Sequence, residues 1–163
     1  MADYTQNYGT TAAPLYLSGP SLVISGISGG DSGVRGFVAA YDADTGNQVW
    51  QFYTTPSGLS DPLAATWGDG LILPHGGGAT WTPGTYDATT NTLYWGVGNP
   101  CPDYNGDDRQ GADLYTSSVV ALNAGTGALH GIFNSHHRIF GTTTAPLLRF
   151  WRMPTGKASR AIC

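Results

Sequence analysis

Short apolar runs closed by turn residues recur along the chain. Ser21–Ile24 (SLVI) is followed by a Gly/Ser-rich loop, Ser25–Gly33, and by a second apolar run, Gly36–Tyr41. Asp42–Gly46 then supplies turn chemistry, because Asp folds its carboxylate onto nearby backbone N–H groups and Gly46 tolerates positive φ. Val49 and Trp50 begin the next strand, so the stretch predicts a β-hairpin. The pattern returns as YDATTNTLYW at Tyr86–Trp95 and as VVALNAGTGAL at Val119–Leu129, where Asn123, Thr126 and Gly127 take the places of Asp42, Thr45 and Gly46. The steps between Asp42, Asp87 and Asn123 are close to the roughly 40 to 50 residues of a propeller blade. The expected fold is all-β, a partial β-propeller of about three blades; the alternative is three unrelated hairpins in a β-sandwich. Such an arc would expose apolar faces and strand edges, so it is expected either to be part of a longer protein or to self-associate through its open ends.

Composition agrees with many short strands joined by tight turns: 163 residues contain 24 Gly and 10 Pro, with 12 % aromatic and only 11 % charged residues. A net charge of −4 and scattered Lys and Arg offer no basic face, which argues against a nucleic-acid partner. Cys101 and Cys163 form neither a disulfide framework nor a CxxC clip, and no CxxCH haem motif is present. The N-terminal MADYTQNYGT has no signal-peptide pattern, and no apolar stretch reaches the length of a membrane span.

Three Gly-rich loops carry candidate chemistry: ISGGDSGVRGF at Ile27–Phe37, HGGGATWTPGTYD at His75–Asp87 and WGVGNPCPDYNGD at Trp95–Asp107. Each abuts a strand signal and so belongs at a rim, where bare backbone can approach a ligand. Their distinctive side chains are Asp31, Trp81 and Asn99. A carboxylate and a carboxamide oxygen are hard ligands suited to Ca²⁺, and an indole held by a Gly-rich turn can face a flat ring. Read singly, Asp31 is equally a turn residue, Trp81 a core residue and Asn99 the start of a turn.

In this order, and nearly in this wording, the loops resemble those of the pyrroloquinoline quinone (PQQ)-dependent methanol and alcohol dehydrogenases. The resemblance runs from about Thr11 to Leu129. It is most specific in GGDSGVRGFVAAYDADTGNQVW, in GGGATWTPGTYDATTNTLYWGVGNP and in the GDD-R-x-G-A-D-L-Y-T-x-S-V-V-A-L stretch. It implies an arc of a propeller of about eight blades, with PQQ and Ca²⁺ or a lanthanide as cofactors. The intact protein would then take a small primary alcohol as substrate and a cytochrome-type electron acceptor, in the periplasm. Asp31 stands where the family has an acidic metal ligand, usually Glu, and Asn99 in GxGNP matches its carboxamide ligand. Trp81 matches the floor under the quinone. Ser28, Gly29 and Gly30 match the turn that meets the cofactor's carboxylates, and Thr11 in TTAAP resembles the Thr of a T-x-x-P stretch.

Departures from the family pattern are equally specific. Asp31 is one methylene shorter than Glu, Ala79 stands where relatives often place a cofactor-binding Thr, and no vicinal cysteine pair is present. The family's catalytic Asp, in a segment resembling TPHD-x-W-D-Y, has no counterpart after Leu129. Residues 130–163 are therefore expected to be a non-family, poorly ordered tail, set apart from the propeller region 1–129, and the chain is expected to be inactive alone. That tail holds three of the four His, and His130, His136 and His137 have poor spacing for a transition-metal site. Codons compatible with His130–Thr144, read in another frame, can spell W-H-F-Q-L-T-P-x-D-L-W-D-Y-D, which restores the missing segment and suggests a frameshift. A non-catalytic propeller-like module that binds a metal or another ligand is the alternative function.

Overall fold

The computed structural model describes residues 3–68, 75–104, 106, 107 and 109–134. They form two four-stranded antiparallel sheets, ordered β1-β2-β3-β4 and β5-β6-β7-β8. The first holds Leu15–Leu17 (β1), Leu22–Gly26 (β2), Phe37–Asp42 (β3) and Gln48–Tyr53 (β4). The second holds Thr85–Asp87 (β5), Thr92–Val97 (β6), Ser118–Asn123 (β7) and Leu129–Asn134 (β8). The sheets repeat each other in detail. Both central-to-outer pairings carry a register shift at the same place, between Ala40 and Tyr41 in the first and between Ala121 and Leu122 in the second. These are two blades of a propeller. His130 and Phe133 of the tail lie in β8, while His136, His137 and the apolar residues beyond lie outside the described residues.

All three turn segments fold as the sequence predicts. Asp42 Oδ1 accepts from Thr45 N and Thr45 Oγ1, each at 2.7 Å. Asp87 accepts from Thr89 N at 2.9 Å and Thr90 Oγ1 at 2.7 Å, and Asn123 Oδ1 accepts from Gly125 N at 3.0 Å and Thr126 N at 3.1 Å. Among the described residues there are two blades, where the turn spacing suggests about three. The Asp42 turn joins β3 to β4 in the first blade and the Asn123 turn joins β7 to β8 in the second, whereas the Asp87 turn joins β5 to β6 and is a second turn of that same blade. An Asx turn suits any two-strand hairpin, so it marks hairpins and not blades.

The blades meet over a shared apolar layer containing Leu17, Ile24, Val38, Trp50, Trp95 and Leu122. Strand β3 reads FVAA because both of its faces are covered: Val38 and Ala40 face this layer, while Phe37 and Ala39 join a second cluster with Ile27 and Val34. Trp50, on the outer strand of the first blade, reaches across to the turn of the second, and its Nε1 donates to Ala124 O at 2.9 Å. Its ring lies on Gly127, where an added Cβ would stand 2.7 Å from Trp50 Cδ2.

Gly127 (φ 70°) and Gly46 (φ 72°) occupy equivalent turn positions, yet nothing lies within 4 Å of a Cβ at Gly46. Gly46→Ala is therefore expected to lose only the left-handed backbone term, about 1–2 kcal/mol. Gly127→Ala should lose a further ~1–3 kcal/mol by displacing Trp50. Urea unfolding of the two variants, compared side by side, measures the docking of Trp50; equal midpoints would show that the ring does not rest on Gly127.

Candidate functional site

In an antiparallel blade the start of β1, the end of β2 and the start of β3 share one rim. Thr11 before β1, the β2–β3 loop, the Gly-rich lead into β5 and the β6–β7 loop therefore emerge together, away from the Asx turns. The Gly-rich segment threads between the other loops by backbone bonding. Gly77 N donates to Val34 O at 3.1 Å and Gly36 N to Gly77 O at 2.8 Å on one side; Gly78 N donates to Asn99 O at 2.9 Å and Cys101 N to Gly76 O at 3.0 Å on the other. Thr80 closes the joint. Fully buried, its Oγ1 donates to Phe37 O and accepts from Ile27 N at 2.8 Å, while its carbonyl accepts from Trp95 Nε1 at 3.1 Å.

Above this joint lies an open cleft of about 270 Å³. Thr11, Ser28, Gly29, Gly30, Asp31, Trp81 and Asn99, the residues singled out from sequence, all line it, together with Ala79, Gly98 and Asp103. Trp81 is 55 % exposed despite its size, and its indole lies over Gly98, where a Cβ would stand 3.4 Å from Trp81 Nε1. Thr11 Oγ1 donates to Trp81 O at 3.2 Å, so Thr11 braces the Trp backbone. Ala79 is buried, and a Cβ at Gly30 would stand 3.0 Å from the Ala79 methyl, so this position contributes shape and no hydrogen bond. His75, at the edge of the Gly-rich segment, meets Gly33 O through Nδ1 at 2.9 Å.

Asp103 was not singled out by sequence reasoning, although its place four residues after Asn99 in a Pro-rich turn is a usable signal. It accepts a short hydrogen bond from Asn99 Nδ2, which also donates to Pro100 O at 3.2 Å. Both partners are acceptors, so the amide nitrogen must face them, and Asn99 Oδ1 is left as the amide's uncommitted atom among the described residues. Burial, and then the neighbouring charge of Asp31 within hydrogen-bonding reach, push the Asp103 carboxyl above its ordinary range, against the opposing pull of Arg109 and the bond from Asn99. Two carboxylates and a carboxamide oxygen lining one cleft are the donor set of an oxygen-seeking cation. A half-exposed indole over bare backbone in the same cleft suits a planar ligand.

Residues 1–148 match the PQQ family described as the glucose/ethanol/alcohol dehydrogenase β-propeller domain. The chain is 41 % identical over 138 residues to the quinohemoprotein alcohol dehydrogenase ADH-IIG of Pseudomonas putida, covering 77 % of this chain and 19 % of the relative. The solved structure of ADHIIG from Pseudomonas putida HK5 matches with a TM-score of 0.74 at 37 % identity, over 83 % of this chain and 21 % of that one. A europium-containing methanol dehydrogenase matches with a TM-score of 0.73 at 31 % identity, over 82 % and 26 %. The chain belongs to the PQQ-dependent alcohol dehydrogenase β-propeller family. It spans about a fifth of the length of the curated relative it matches.

Proposed function

We propose that this chain supplies part of the quinone and cation site of a PQQ-dependent alcohol dehydrogenase. The intact protein would oxidise a small primary alcohol in the periplasm and pass electrons to a cytochrome-type acceptor. One observation carries the reading: seven residues matched to the family's site, drawn from four separate segments, line a single cleft. Bound quinone would supply the two-electron chemistry. Trp81 gives it a flat floor, Thr11 keeps that floor in place, and Ser28, Gly29 and Gly30 present a hydroxyl and bare backbone toward its carboxylates. Asp31 and Asn99 hold Ca²⁺ or a lanthanide. The family's catalytic Asp has no counterpart after Leu129, so the chain alone is expected to bind and not to turn over.

Titration of the chain with PQQ in the presence of Ca²⁺, followed by tryptophan fluorescence, tests this. The expected result is weak saturable quenching, because the pocket is built from about a fifth of the relative's length. Trp81→Ala should lower the affinity on the order of tenfold or more by removing the aromatic contact. Quenching that is identical in Trp81→Ala would overturn the placement of the quinone. Cation binding with no response to PQQ would favour a binding module without redox chemistry.

A further inference from the structure

The resemblance assigns two cation ligands to this chain, Asp31 and Asn99, and leaves the second carboxylate unexplained. Asp103 is not a loose surface acid. Its backbone is held from behind by Arg109, whose Nη2 donates to Pro102 O at 2.9 Å and to Asp103 O at 3.3 Å. Arg109 is itself fixed by an ion pair with Asp113 at 3.2 Å, and the two side chains are only 12 % and 11 % exposed. The Asp103 side chain thus meets Asn99 and Asp31 from a built position. One of its oxygens engages Asn99 Nδ2, which leaves the other for a further partner. Asp31, Asn99 and Asp103 line the same cleft, so their oxygens can converge on one ion. Asp31, one methylene short of the glutamate usual in the family, has the least reach of any carboxylate that could serve there.

We propose that Asp103 is a further ligand of the cation, supplying the carboxylate oxygen that makes up for the reach lost at Asp31, and that it also holds the Asn99 carboxamide with its oxygen turned to the ion. This rests on the reading of Asp31 and Asn99 as cation ligands. It makes the Arg109–Asp113 pair the support of the site, since that pair fixes the loop on which Asp103 stands.

Terbium(III) is a suitable probe, because Trp81 lines the same cleft and its indole can sensitise terbium emission. The parent chain should give saturable sensitised emission, and Asp31→Asn should lose most of it. Asp103→Asn keeps an oxygen acceptor for Asn99 Nδ2 but drops the charge, and its apparent affinity should fall about tenfold. In Asp103→Ala, luminescence lifetimes compared in H₂O and D₂O should count about one more water on the ion than in the parent. If both Asp103 variants titrate like the parent while Asp31→Asn is weakened, the role of Asp103 is overturned and the reading of Asp31 stands. If Asp103→Ala weakens binding without adding a water, Asp103 does not ligate and the proposal fails. If the parent shows no sensitised emission, or Asp31→Asn binds as well as the parent, both readings fall.

Discussion

Trp95→Ala is expected to lose ~3–5 kcal/mol of stability, the largest effect of any single substitution considered for this chain. Trp95 is fully buried in β6, within the layer shared by the two blades. Its loss would leave a cavity that neighbouring strands, fixed by their ladders, cannot collapse to fill. It would also remove the indole N–H that donates to Thr80 O at 3.1 Å, at the residue that joins the β2–β3 loop to the Gly-rich segment. Against a total of ~5–15 kcal/mol for a small domain, the change should lower the urea midpoint by roughly 1 M or more. Trp81→Ala is the matched control: the same residue type, 55 % exposed, expected to change stability by no more than about 0.5 kcal/mol. Similar midpoints for the two variants would mean that Trp95 is not packed between the blades as described.

Gly36→Ala should damage both the fold and the site, for a different reason. A Cβ there would stand 2.0 Å from Gly78 O and 2.3 Å from Thr54 Oγ1. The obstacle is mainly backbone, so no side-chain rotation can relieve it, and the Gly-rich segment would have to move. Gly36 also donates to Gly77 O at 2.8 Å and accepts from Thr54 N at 3.0 Å, so the shift would break bonds on both sides. The expected loss is ~1–3 kcal/mol of stability, together with loss of PQQ quenching, because the displaced segment carries Ala79 and Trp81. Gly19→Ala, with nothing within 4 Å of its Cβ, should leave both properties near the parent. A Gly36→Ala variant with parent-like quenching and midpoint would show that this backbone approach is not as close as drawn.

Local chemistry explains why much of the fold was legible. Asp42, Asp87 and Asn123 bond to backbone and hydroxyl groups two or three residues away, so their turns follow from the immediate sequence. The continuous apolar run of β3 likewise announces a strand covered on both faces. The site residues were legible for another reason. Taken one at a time, Asp31, Trp81 and Asn99 each had an ordinary structural explanation, and only their ordered wording pointed to a shared cleft.

The sequence by itself determined the all-β class, the three hairpin turns, the family resemblance and seven of the residues that line the cleft. The tertiary structure decided what depends on partners distant along the chain. Pairing of β6 with β7 across a loop from Gly98 to Ser117 put the Asp87 and Asn123 turns in one blade, so that the described residues form two blades. Docking of Trp50 on the turn at Ala124 and Gly127 joined the blades across more than seventy residues. In the second blade the position opposite Ala121 that corresponds to Trp50 is Gly131, a difference visible only once the two registers are laid side by side. Asp103 entered the site because Arg109 and Asp113 fold its loop back toward Asp31. The physical reason is common to all four: turn chemistry acts over two or three residues, whereas blade count, blade contact and the second carboxylate arise from contacts that exist only after the chain has closed on itself.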